Sequence, residues 1–166
     1  MLAALGEPHD PALDPALRAA VAAVAAGWAA RTGRALMAAT AEEVGPLLAG
    51  HAGPVVLVAP DVPRLDDELA AAALSDIAAG CVLSFAPATD GKPYLLAFAD
   101  ARPEALALLT GADRRREALF AEAMALGDEV GLLRSERRVV TPADARALAL
   151  DPLVPEPLRS LAARHA

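Results

Sequence analysis

The chain has 166 residues, 55% of them apolar but only 3% aromatic, and a formal net charge of -7. That length predicts one domain, spanning residues 1–166, with a sizeable core built largely from Ala, Leu and Val. The acidic balance excludes a nonspecific nucleic-acid surface, which needs a basic stripe.

Cysteine usage and apolar runs narrow the class further. The single cysteine, Cys81, lies in an apolar run, which excludes a disulfide scaffold and reads as a buried, inert thiol. The longest apolar stretch, residues 19–30, is Ala-dominated and bounded by Arg18 and Arg31. It falls short of the ~20 residues needed to cross a bilayer, and no signal peptide is evident. A cytoplasmic domain with no membrane partner is the expectation.

In chain order, residues 1–14 carry prolines, acids and His9 and read as an irregular lead-in. Asp14-Pro15 starts a helix, with Asp as N-cap and Pro at the first helical position, running to about Thr32 where Gly33 closes it. Leu17, Val21, Val24 and Trp28 share one apolar face, so Trp28 belongs to a core or an interface. Residues 34–39 predict a short strand. Thr40 and Glu43 fit a capping box for a helix over 41–48, with Gly45-Pro46 working against its length. Residues 50–53 turn into the run 55–59, a strand of buried type that breaks at Pro60. Asp61 follows at the strand's carboxyl end, which is where open α/β sheets bind ligands. Capping the next segment or accepting from loop amides is an equally good use for that side chain.

The spacing predicts a helix over 66–78, whose leading acids Asp66, Asp67 and Glu68 suit the helix dipole. Apolar runs at 81–86 and 94–98 flank a loop containing Asp90-Gly91, which is by itself a hairpin signal. Beyond them come a short helix from Pro103 to 109, ended by Thr110-Gly111, and a helix capped by Asp113 running to about 126. Leu119, Phe120 and Met124 are expected to face inward from it. A strand over 131–134, a helix started by Thr141-Pro142, a proline-punctuated linker at 151–157 and a terminal helix over 156–165 complete the chain; residues 151–166 form an extension. Strands alternating with helices predict an α/β fold, a three-layer sandwich with a mostly parallel sheet.

Residues 54–65 are similar to the segment G-P-V-V-L-I-G-x-D-x-P-x-L of glycosyltransferase-A-like proteins of the arsenosugar-biosynthesis or selenium-associated type. Residues 86–97 are similar to their segment G-P-A-x-D-G-G-Y-Y-L-I-G-L, and residues 141–144 resemble more weakly the closing D-x-D-T-P-E-D-L. The molybdenum-cofactor guanylyltransferase shares that fold. The resemblance implies a nucleotide sugar or nucleotide as ligand. It implies that Asp61 holds a divalent cation, Mg²⁺ or Mn²⁺, which carries the charge of a leaving diphosphate. By the same resemblance Asp90 faces the acceptor as a catalytic residue. Two departures stand beside it: the family's leading F-A-K-x-P-x-P-G-x-V-K-T-R-L loop has no counterpart here, and the two closing aspartates fall on Arg138 and Val140.

Basic residues offer another route to phosphate. Arg134, Arg137 and Arg138 can bind it by charge-assisted hydrogen bonds, the last two standing beside a strand's end, and Arg138 is the candidate for cofactor binding. Arg114, Arg115 and Arg116 point in three directions on a helix and read as solvated surface. His9, His51 and His165 all lie in loops or tails, so no Ser-His-Asp arrangement is argued. Two functions remain open: a divergent nucleotide-sugar transferase or nucleotidyltransferase, and a non-catalytic binding or assembly module with the same fold. A missing leading strand would leave a sheet edge bare, so a homodimer is expected.

Overall fold

The structure is a computed structural model and describes residues 5–33, 36–38, 40–108, 116–126 and 129–164. Helix α1 (Pro15–Thr32) starts as the sequence dictates: the Asp14 carboxylate accepts from the amides of Ala16 and Leu17 at 2.7 and 2.9 Å. Its two halves serve different cores. Leu17 and Val21 pack with Val139, Leu148, Leu158 and Ala162, whereas Trp28 and Ala29 pack with the sheet. Trp28 is buried, and its indole N–H donates to the Asp66 carbonyl at 2.7 Å, tying α1 to the segment after Asp61.

The expected helix over 41–48 is a 3-10 turn (Ala41–Glu43) running into a single α-turn, α2 (Val44–Leu47). Pro46 lacks an amide hydrogen and stops a longer helix. The strand expected over 34–39 does not form in its described part, 36–38; residues 34, 35 and 39 lie outside the described residues.

The sheet contains β1 (Val55–Val58), β2 (Leu83–Pro87), β3 (Pro93–Phe98) and β4 (Val130–Leu132), in the order β1-β3-β2-β4. Helix α3 (Asp67–Ala78) precedes β2, with the Asp66 carboxylate accepting from the Leu69 amide at 2.9 Å as its cap. The sheet is mixed, which corrects the mostly parallel three-layer sandwich expected from the alternation of elements. Strand β3 is antiparallel to both neighbours, and β2 with β4 is the parallel pair. The reason is local: β2 and β3 are joined by residues 88–92 alone, and a parallel return needs a dozen residues or more. The Asp90-Gly91 hairpin therefore forms, with Gly91 at φ 86° and its amide donating to the Ala88 carbonyl at 2.9 Å. Every side chain of β2 and β3 is buried.

Helices α4 (Pro103–Ala107) and α5 (Arg116–Met124) follow β3; Thr110, Gly111, the Asp113 cap, and the side chains of Arg114, Arg115 and Arg116 lie outside the described residues. Leu119 faces inward as expected, but Phe120 and Met124 are 43% and 40% exposed, and Ala123 takes the inner position. Helix α6 (Pro142–Leu150) opens on a true capping box, Thr141 and Asp144 each accepting from the other's amide. It pairs with α7 (Glu156–Arg164) against the first half of α1 to make the smaller core, and Val154 of the intervening linker is buried in it. Cys81 is half-buried; burial, with the nearby Asp76 and Glu129, pushes its thiol up and keeps it protonated. No described helix is long and apolar enough to cross a membrane.

Candidate functional site at the carboxyl end of the sheet

Because β3 alone is reversed, the carboxyl ends of β1, β2 and β4 lie at one end of the sheet, together with the β2–β3 turn. Asp61 leaves β1 at this end and Asp90 sits in the turn. The segment 133–139 runs across the same end, pinned by Leu133 N–H to the Phe85 carbonyl, Thr89 N–H to the Glu136 carbonyl and Val139 N–H to the Asp61 carbonyl, at 2.9, 3.1 and 2.8 Å. That last bond places Arg138 beside Asp61.

The two form an ion pair, Arg138 Nε donating to Asp61 Oδ1 at 2.8 Å, with the side chains 3% and 0% exposed. The other carboxylate oxygen, Oδ2, accepts from the Glu7 amide at 3.0 Å. Arg138 Nη2 donates to the Leu5 carbonyl and Nη1 lies 3.4 Å from Glu7 Oε1. Glu7 Oε2 in turn accepts from Lys92 Nζ at 2.6 Å. The lead-in thus crosses the strand ends, and Asp61, Arg138, Glu7 and Lys92 form one continuous network.

Asp90 is exposed and turned back on its own loop, accepting from the Lys92 amide at 3.0 Å. Among the described residues it joins the network through its neighbour Lys92. Arg138 meets Asp61 directly, and Arg137 points away to Asp144 at 3.4 Å. His9 sits near this network. Its pKa lies below the ordinary value: burial lowers it, Asp61 opposes, and Arg18 and Arg138 add to the lowering. Among the described residues no group of three or more His, Cys, Asp or Glu is placed to hold a metal ion.

A second network braces the same segment. Arg134 bonds Asp66 at 2.6 Å and Glu136 at 2.9 Å, while Arg64 reaches Glu136 at 3.4 Å. The Tyr94 hydroxyl donates to the Arg134 carbonyl at 3.0 Å. Burial pushes Glu136 up despite both arginines, and burial likewise pushes the Tyr94 phenol up. On Asp66 the opposing effect of burial is outweighed by the Arg134 and Leu69 hydrogen bonds and the arginine charges, so its carboxyl sits low.

Sequence reading missed Glu7 and Lys92, which complete the first network, and Glu136 and Tyr94, which build the second around Arg134. Lys92 carried one readable sign, its place directly after Asp90-Gly91. Glu7 carried none, because its partner Arg138 is 131 positions away.

A cavity of about 580 Å³ lies elsewhere, at the amino end of β1, lined by Trp28, Leu36, Val44, Leu48, Val55 and Leu57 among others. None of the Asp61 network lines it. Leu47 and Leu74 on its wall are 40% and 37% exposed, and Met37, next to Leu36 in the chain, is 63% exposed.

No protein-family model matches this sequence, and no curated protein matches it significantly. Among solved structures the chain is similar to a protein from Desulfovibrio desulfuricans G20 provisionally assigned as a nucleotide-diphospho-sugar transferase. The TM-score is 0.56 at 20% identity, over 78% of this chain and 62% of that one. This chain therefore spans less than two thirds of its neighbour's length, and at that identity the likeness is one of fold, a mixed α/β architecture.

Proposed function

We propose that this chain is a non-catalytic member of the nucleotide-diphospho-sugar transferase fold, a binding and assembly module. The observation that carries the reading is the buried Asp61–Arg138 pair. The acid that the resemblance assigns to Mg²⁺ or Mn²⁺ spends both oxygens on other donors, one of them the Arg138 guanidinium. A divalent cation needs several hard oxygen ligands, which one already committed carboxylate does not supply. Expelling Arg138 would strand a buried charge at a cost of about 3–5 kcal/mol. A millimolar metal site releases only about 4 kcal/mol, so displacement gains nothing. Asp90, engaged in its own turn, is left holding the hairpin rather than an acceptor.

The assembly half of the proposal rests on β1, which ends the strand order beside a cavity rimmed by exposed apolar side chains. A second copy of the chain covering that rim makes the homodimer. Two experiments test the proposal. Calorimetry with a panel of nucleotide sugars should give the same result with and without Mn²⁺; Mn²⁺-dependent binding would restore a transferase with Asp61 on the metal and Asp90 toward the acceptor. Light scattering should give a dimer mass that falls to a monomer in Leu47→Glu, whereas a monomer in the unaltered protein removes the assembly half.

A further inference from the structure

Residues 5–10 are held over the carboxyl end of the sheet by the Leu5 side chain, buried in the main core, and by polar bonds around Glu7. The Glu7 amide donates to Asp61, the Leu5 carbonyl accepts from Arg138, and the Asp10 amide donates to the Val140 carbonyl at 2.8 Å. The Glu7 side chain does something different: its carboxylate lies between two cations from distant parts of the chain, Lys92 Nζ at 2.6 Å and Arg138 Nη1 at 3.4 Å. One carboxylate bridging two cationic groups is the arrangement by which a protein binds a multi-oxygen anion, here satisfied from within. Removing Glu7 would leave Lys92 and Arg138 facing the place with Asp61 as the sole remaining acid of the network.

The latch is weak at the point where a ligand would enter. The Lys92 side chain is 42% exposed, so its bond to Glu7 is a solvent-screened rim contact, and the Glu7–Arg138 contact is long. Arg138 itself stays anchored by Asp61 and keeps its position when Glu7 moves. A phosphate, with more charge and more acceptor oxygens than a carboxylate, competes well for such a pair.

We propose that residues 5–10 form an intrasteric strap, and that Glu7 occupies a site for a phosphate-bearing ligand built from Lys92 and Arg138. The ligand binds by displacing the Glu7 carboxylate, without a metal. The proposal names a ligand class for the binding-module reading and stands whether or not the chain dimerises.

Inorganic pyrophosphate is the probe, titrated in EDTA into the full chain and its variants by calorimetry. Glu7→Gln should bind at least tenfold tighter than the unaltered protein, and Glu7→Gln/Lys92→Ala should lose that gain. Equal affinity of the unaltered protein and Glu7→Gln, or a gain that survives the loss of Lys92, overturns the proposal. Hydrogen exchange on the unaltered protein needs no variant: the amides of residues 5–7, 9 and 10 should exchange faster at saturating pyrophosphate, and unchanged or slower exchange also overturns it. EDTA keeps this test apart from the Mn²⁺ experiments, so the strap and the non-catalytic reading can fail separately.

Discussion

Arg138→Met isolates the buried pair. The substitution keeps most of the side-chain volume and removes the guanidinium, leaving the Asp61 carboxylate fully buried with the Glu7 amide as its remaining bonded donor. At 2.8 Å and an effective dielectric of about 20, the direct attraction is about 6 kcal/mol, most of it offset by taking both charges out of water. What the single variant measures is the stranded charge, about 3–5 kcal/mol. For a chain of this size each kcal/mol moves the melting temperature by about 2–4 °C, so the midpoint should drop by roughly 10 °C. Urea unfolding followed by circular dichroism gives the free energy. The double variant Asp61→Leu/Arg138→Met should recover most of the loss, because an apolar pair of similar volume carries no desolvation cost. A loss below about 1 kcal/mol in Arg138→Met would refute the reasoning, since water or a shifted neighbour would then be neutralising Asp61.

Two further outcomes follow from the packing and the charges. Gly131→Ala would place a Cβ 2.2 Å from Asp76 Oδ2 and 2.8 Å from Ser84 Oγ, breaking the 2.7 Å bond between them. Asp76 can swing toward solvent but the Ser84 hydroxyl stays buried, so urea unfolding should show a loss of about 1–3 kcal/mol. A change under about 0.5 kcal/mol would mean that this close approach is relieved by backbone movement. The lowered pKa of His9 makes the unfolded chain bind more protons than the folded one between the ordinary value of 6.5 and the folded value. Stability held above pH 6.5 is therefore lost as the pH falls through that window. His9→Gln should flatten this part of the stability curve, and an unchanged slope would place the titration elsewhere.

What the sequence made legible was local. Asp14-Pro15 and Thr141-Pro142 mark helix starts because the cap and the first helical residue are adjacent, and both caps form as read. Asp90-Gly91 reads as a hairpin for the same reason. The sheet's mixed character lay one step beyond: apolar periodicity marks a buried strand but not which neighbour it pairs with. Only the five-residue loop between β2 and β3 held that information, and the alternation of helices and strands argued the other way. Phe120 and Met124 mislead because their helix presents Ala123 to the core instead. The site divides along the same line. Asp61 at a strand's carboxyl end and Arg138 beside a strand's end are both legible as candidates, with the family resemblance adding to each. Their direct pairing across 77 positions, and the return of Glu7 across 131, leave no local trace.

Mn²⁺ titration followed by the paramagnetic resonance of the free ion, on the unaltered protein and on Asp61→Asn, tests the non-catalytic reading at its root. With Asp61 bonded to Arg138 and the Glu7 amide, the two proteins should leave equal amounts of Mn²⁺ free throughout the titration. A saturable site in the unaltered protein that vanishes in Asp61→Asn would contradict the account.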